Sequence, residues 1–350
     1  MMTMPRALRT PLLAALAALL LAACAGTSEP RRSAAESWPA QHQAALAEAK
    51  LVPEPAAYEI RYFDWVDRDR QRQVLAKLYL PPATSAVPAP LVVFSHGLGG
   101  SREGYSYLGA NWAARGYASL HVQHAGSDSR LWGGNPFEVV ARLQSAASEA
   151  EAVDRVRDLR FALDQAFAAP GLGGRLDPAR IVAAGHSYGA NTVLLAAGAV
   201  FERPQGKRSY AEPRLAGAVV ISAPPFHGEA DAEAIVRPIG IPTLHITATG
   251  DDIRLPGYQS GYEDRVRVFT ATGSPRKALV VFRDGAHGMF TDRLAPGGRE
   301  LNVQVKGATL DLSLAFLDEV VGGRRGAFGE RSASHGELIS HLESSLGGRR

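Results

Sequence analysis

Residues 180–191 read Arg180-Ile181-Val182-Ala183-Ala184-Gly185-His186-Ser187-Tyr188-Gly189-Ala190-Asn191, and an Ala/Leu-rich run follows from Thr192 to Val200. The first part is a short apolar strand, the last part a helical run, and between them stands Gly-x-Ser-x-Gly. In that pattern a serine occupies a strained strand-to-helix turn, and its flanking glycines leave room where a side chain would collide with neighbouring backbone. Five such residues arise often by chance, as a plain Gly-Ser turn. A strand before them and a helix after them supply the context that makes Ser187 a candidate nucleophile.

The chain has 350 residues, 46% hydrophobic and 21% charged, with 36 Gly and 22 Pro. That is a globular profile with ample apolar residues for one large core. The net charge of +3 is spread as Arg among Asp and Glu, so no nucleic-acid partner is expected.

Arg6 and Arg9 precede an apolar run from Pro11 to Ala22, which is short for a membrane span and reads as a targeting segment outside the fold. It ends in Leu21-Ala22-Ala23-Cys24-Ala25-Gly26, which resembles the bacterial lipobox. That resemblance implies a signal peptide over 1–23, a diacylated Cys24 at the mature N-terminus and anchoring in the cell envelope. Ala25 in place of Asp implies the outer membrane. Cys24 is the only cysteine, so no intramolecular disulfide can form. The plainer alternative is a secretory peptide cut at the A-x-A-like Ala23-Cys24-Ala25. Residues 24–55, rich in Ala, Ser, Glu, Pro and Arg, read as a tether with a short helical run at 40–50.

Residues 58–66 and 73–80 alternate around a polar turn and are expected to form an antiparallel hairpin. Leu91-Val92-Val93-Phe94-Ser95 is a continuous apolar run, as in a strand covered on both faces. Helices over 105–115 and 150–168 then alternate with strands at 118–123, 217–222, 242–247 and 277–282. A helix over 310–321 carries a buried stripe at Leu310, Leu312, Leu314, Phe316, Leu317 and Val320. The expected architecture is α/β, a mostly parallel sheet with helices on both faces. It occupies 56–321 as one domain, with 322–350 left as a C-terminal tail containing a short amphipathic piece at 337–346.

Phe94-Ser95-His96-Gly97-Leu98-Gly99-Gly100, then Ala113-Ala114-Arg115-Gly116-Tyr117, then Gly185-His186-Ser187-Tyr188-Gly189-Ala190 together resemble the α/β-hydrolase superfamily. Within it they are similar to platelet-activating-factor acetylhydrolase-like and dienelactone-hydrolase-like proteins. The resemblance implies hydrolysis of a short-acyl or accessible, small-molecule or lipid-like ester through an acyl-serine, with neither metal nor organic cofactor.

A serine hydroxyl is a weak nucleophile that needs a base and a group to orient that base. The superfamily order, Ser then acid then His, puts the base at His287, in the loop after the last apolar strand. The acid falls at Asp251 by register, with Asp252 open as the alternative. Oxyanion donors are implied at the backbone N–H groups of Leu98 and Tyr188, worth about 3 kcal/mol of transition-state energy each. Two departures stand out. Dienelactone hydrolases proper use cysteine where this chain has Ser187. The eukaryotic acetylhydrolases keep their acid after the strand that follows the elbow helix, where this chain reads Ser222-Ala223-Pro224-Pro225.

The insertions 126–147 and 226–240 are expected to roof the site. Trp132, Phe137 and Phe226 are candidates for an apolar pocket, and His124-Ala125-Gly126-Ser127-Asp128 is a candidate for its lining. Acyl transfer to an envelope component by the same residues, and non-catalytic binding on a hydrolase scaffold, stay open at this level.

Overall fold

The computed structural model describes residue 46 and residues 51–347, apart from 85–86, 205, 227, 229–230 and 256–257. The signal segment, Cys24 and most of the tether lie outside the described residues. So does His227. None of the described helices is long and apolar enough to cross a membrane.

The expected hairpin forms from β1 (Glu59–Asp67) and β2 (Arg72–Leu80). There follow β3 (Ala89–Ser95), α1 (Ser106–Ala114), β4 (Ala118–His124), α2 (Pro136–Ala146) and α3 (Glu149–Ala168). The elbow joins β5 (Leu176–His186) to α4 (Tyr188–Ala196), and a small hairpin, β6 (Val200–Arg203) with β7 (Gly206–Ser209), comes next. The second half holds β8 (Leu215–Ile221), α5 (Ala232–Val236) and β9 (Thr243–Gly250). A second small hairpin pairs β10 (Ile253–Leu255) with β11 (Tyr258–Ser260) and leads into α6 (Tyr262–Ala271). The chain ends with β12 (Lys277–Ala286), α7 (Arg299–Val320), α8 (Ala327–Ala333) and β13 (Ile339–Ser344).

Nine strands share the main sheet in the order β1-β2-β4-β3-β5-β8-β9-β12-β13. Neighbours from β4 through β12 run parallel, and the β1–β2, β2–β4 and β12–β13 pairs are antiparallel. Successive residues of a strand face opposite sides, and here both sides are apolar. Leu91 and Val93 pack with α3 and α4 in one core, while Val92 and Phe94 pack with α1 and α7 in another. Helices on both faces therefore explain why β3 reads as an unbroken apolar run.

Three boundaries differ from the sequence reading. The tether is docked at its end, because Leu46 and Leu51 bury in the core beside α1 and α7. The elbow helix stops at Ala196 rather than Val200, and Gly198, at φ +117°, turns the chain into the β6–β7 hairpin. The tail is not separate. Its amphipathic piece is β13, which pairs Ala278 with Ser344 and Leu279 with Glu343 along β12. An edge strand with one face in water needs few apolar residues, so its sequence looks like a polar tail.

Candidate active site

Ser187 sits at φ +55°, ψ −124°, between the end of β5 and the start of α4. Its amide donates to Ile221 O at 2.9 Å, which fixes the turn against β8. The glycines on either side have no room for substitution. A Cβ on Gly189 would stand 1.9 Å from the Ser95 carbonyl oxygen, and one on Gly185 2.4 Å from that of Gly189.

His287 opens a short 3-10 turn, His287–Phe290, directly after β12. The turn is clamped from three sides. Tyr107 Oη donates to Phe290 O at 3.1 Å, Lys306 Nζ to Met289 O at 2.8 Å, and Asp292 accepts from the Ser106 amide at 2.9 Å, at the start of α1. The imidazole is thereby aimed with Nε2 3.1 Å from Ser187 Oγ. Its Nδ1 lies 2.7 Å from Asp251 Oδ1. An ionised carboxylate only accepts, so Nδ1 carries the proton and Nε2 is left to accept from the Ser187 hydroxyl.

Asp251 follows β9 and is fully buried. Burial alone would raise its pKa, but the His287 hydrogen bond and charge, Arg265 and Ser222 outweigh burial and hold the carboxyl well below the usual carboxylate range. Its second oxygen accepts from Thr247 Oγ1 at 2.7 Å, and Arg265 Nη2 stands 3.7 Å from the first. Asp252 points away. Its carboxylate pairs with Arg254 at 2.9 Å and is 46% exposed, so geometry selects Asp251 as the partner of His287.

The other described histidines have other duties. His96, His121, His124, His186 and His245 are buried, and burial pushes each pKa down. His335 pairs with Asp311, and His341 is exposed on β13. A second Ser-His-Asp line also exists: Ser95 Oγ is 2.9 Å from His124 Nε2, whose Nδ1 is 3.1 Å from Asp158. All three residues are fully buried, so no substrate reaches that serine.

Leu98 lies in the turn after β3. On one side the Gly97 amide donates to Tyr105 Oη at 3.2 Å, and on the other the Gly99 amide donates to Ser127 O at 2.8 Å. Leu98 and Tyr188 both face a cavity of about 450 Å³ over Ser187. Its wall is mainly apolar, from Leu143 and Ala147 at α2, Phe201 on β6, Pro225 and Phe226 after β8, and Tyr258 on β11.

The roof differs in part from expectation. Phe226 and the 126–147 insertion do line the cavity. Trp132 instead lies over the Leu98 turn, its Nε1 donating to Gly99 O at 3.3 Å. The side chain of Phe137 is outside the described residues. Ser127 and Asp128 turn away from the cavity to support the Leu98 loop. Ser127 Oγ donates to Glu151 at 2.8 Å, and Asp128 accepts from Arg130. Phe201, Tyr258, Ser222 and Arg265 were not legible as site residues. They come from two short hairpins, a strand end and a helix whose positions depend on the folded sheet, and only a hydrophobic stripe on α6 would have flagged the last.

The sequence pattern of the family described as platelet-activating factor acetylhydrolase, isoform II, matches residues 80–131. A platelet-activating factor acetylhydrolase of Cavia porcellus is 28% identical over 149 residues, 32% of this chain and 33% of that protein. The match thus spans about a third of the length of that relative. In three dimensions, ferulic acid esterase from Streptomyces cinnamoneus superposes with a TM-score of 0.60 at 22% identity, over 84% of this chain and 98% of that one. Puromycin hydrolase gives a TM-score of 0.53 at 18% identity, over 77% of this chain and 40% of that one. The chain has the α/β-hydrolase fold.

Proposed function

We propose that this protein is a carboxylic-ester hydrolase working through an acyl-serine intermediate. The observation that carries the proposal is the continuous hydrogen-bonded line Ser187–His287–Asp251 at the floor of an apolar cavity. Support also comes from the comparisons, since the relatives named above include an acetylhydrolase and an esterase.

In this mechanism Ser187 Oγ attacks the ester carbonyl carbon while His287 Nε2 takes the hydroxyl proton. Asp251 keeps the imidazole in the required tautomer and stabilises the imidazolium. The carbonyl oxygen becomes an oxyanion facing the amides of Leu98 and Tyr188. Collapse breaks the bond to the leaving alkoxide, which receives the proton from His287. A water molecule, deprotonated by the same nitrogen, then attacks the acyl-serine, and the acid leaves as Ser187 recovers its proton. A cavity of about 450 Å³ with an apolar wall suits a neutral acyl or aryl-acyl group rather than an anionic one.

The direct test is Ser187→Ala. Turnover of p-nitrophenyl butyrate and labelling by a fluorophosphonate should both disappear, and labelling that persists in the variant refutes the assignment.

Cys24 lies outside the described residues, and its lipidation is proposed on the lipobox resemblance alone. It would tether the enzyme to the bacterial envelope, at the outer membrane, since two or more acyl chains anchor stably. Mass spectrometry of the mature N-terminal peptide should find acyl groups on Cys24, and Cys24→Ser should release the protein from the membrane fraction. An unmodified cysteine, or membrane retention of the variant, would overturn this.

A further inference from the structure

Arg155, in the middle of α3, is fully buried and, among the described residues, makes no ion pair within 4 Å. An arginine kept in that state is costly unless its donors are satisfied, so its partners define what the charge is for. Nε donates to Thr192 Oγ1 at 2.8 Å, Nη1 to Ser127 Oγ at 2.6 Å, and Nη2 to Ser95 Oγ at 3.1 Å and to the His96 carbonyl. The guanidinium carbon lies 4.5 Å from the centre of the Tyr188 ring.

These contacts converge on the two backbone donors of the proposed oxyanion site. Ser95 and His96 end the strand that delivers Leu98, and the Ser127 carbonyl takes the amide of Gly99 on the far side of Leu98. Thr192 Oγ1 in turn donates to the Tyr188 carbonyl at 3.2 Å, one turn back on the elbow helix. One planar cation therefore joins the Leu98 turn to the Tyr188 elbow, which come from opposite ends of the 95–188 segment, alongside the Tyr105 hydroxyl, which accepts from the Gly97 amide at 3.2 Å and lies 2.8 Å from His186 Nδ1. Lysine offers a single point charge and has no fork with which to span these acceptors.

We propose that Arg155 is a positioning residue for the oxyanion site: it fixes the Leu98 and Tyr188 amides relative to each other and sets a buried positive charge behind them. The proposal rests on the hydrolase reading of Ser187. A side chain that merely fills the core would affect stability. One that aligns the donors affects binding of the transition state more than binding of the ester, because donors aimed at the oxyanion act where charge develops.

The test compares wild type, Arg155→Lys, Arg155→Met, Thr192→Val and Ser127→Ala in the full chain. The readouts are kcat and KM for p-nitrophenyl butyrate per folded molecule, the inhibition constant of an alkyl trifluoromethyl ketone, and thermal melting. For Arg155→Lys we expect kcat to fall about ten- to a hundredfold, below the full loss of one donor, with KM within about twofold. The ketone, which forms an oxyanion on Ser187, should weaken in parallel with kcat/KM. A folded Arg155 variant with wild-type kcat, a loss carried by KM, or undiminished ketone affinity overturns the proposal. Should both Arg155 variants fail to fold, Thr192→Val and Ser127→Ala decide by the same criteria, each cutting one branch of the network. Absence of turnover in wild type overturns the hydrolase reading instead, and is told apart by that control.

Discussion

Ser222 holds its hydroxyl 2.9 Å from Nδ1 of His287, at the end of β8 and in a left-handed backbone conformation with φ +52°. This is the place where the resemblance to eukaryotic acetylhydrolases would have put the acid. The hydroxyl thus shares Nδ1 with Asp251 and also helps to hold that carboxylate ionised.

An acid could be moved between these two positions. Asp251→Asn should lower kcat by about three to four orders of magnitude, because an amide leaves the imidazole in the wrong tautomer. Adding Ser222→Asp to that variant should restore part of the loss, whereas Asp252→Asn should stay near wild type. Equal losses for Asp251→Asn and Asp252→Asn in an ester assay would contradict the arrangement.

Acid should destabilise the fold through its buried histidines. Burial, aided by the charge of Lys77 or Lys277, pushes His121 and His245 from 6.5 down to about 3. Between those values the unfolded chain binds the protons and the folded chain does not. Their contribution is therefore complete above pH 6.5 and is lost as pH falls toward 3, by up to about 1.4 kcal/mol per pH unit for each histidine. The stabilisation from Asp251, whose folded pKa is depressed, begins to go only below its unfolded value near 3.8. Urea midpoints should be level from pH 8 to 7 and decline steadily from pH 6 to 4; a level profile to pH 4 would refute this.

Acyl length should be read by the aromatic end wall. Phe201 and Phe226 meet edge to face at 5.5 Å and are both buried. Phe226→Ala should raise kcat/KM for longer p-nitrophenyl esters relative to the acetate, at a stability cost of about 3–5 kcal/mol. A chain-length profile unchanged from wild type would place the acyl group elsewhere.

Removal of residues 337–350 should weaken the whole domain. Without β13 the long edge of β12 lies open, and unpaired strand edges promote aggregation. Ser345 would also be lost, whose hydroxyl accepts from the Lys277 amide at 2.9 Å. A melting temperature lowered by several degrees is expected, since about 1 kcal/mol shifts a domain of this size by roughly 2–4 °C. A melting curve matching the full chain would show that β13 contributes nothing.

Much of the site was legible because it is written locally. Gly185, Ser187 and Gly189 announce themselves, since backbone at under 3 Å from the would-be Cβ atoms admits only glycine. His287 could be placed because it follows an apolar strand. Asp251 and Asp252 could not be separated, for each follows β9 and one residue of register exchanges them. Arg155 falls inside the helix expected over 150–168 with no local motif around it, and β13 falls in the stretch that reads as a tail.

The sequence by itself determined the alternation of strands and helices, the elbow serine and the chain order of the groups around it, all of which depend on neighbours in the chain. Only the tertiary structure decided which aspartate meets His287, which of two Ser-His-Asp lines opens to a cavity, and where a buried cation goes. Those choices depend on distances between residues 30 to 100 positions apart, set by the packing of β3, β5, β8, β9 and β12 side by side. Burial then assigns the roles. It seals Ser95 at the end of the interior strand β3 and leaves Ser187 at the floor of the cavity.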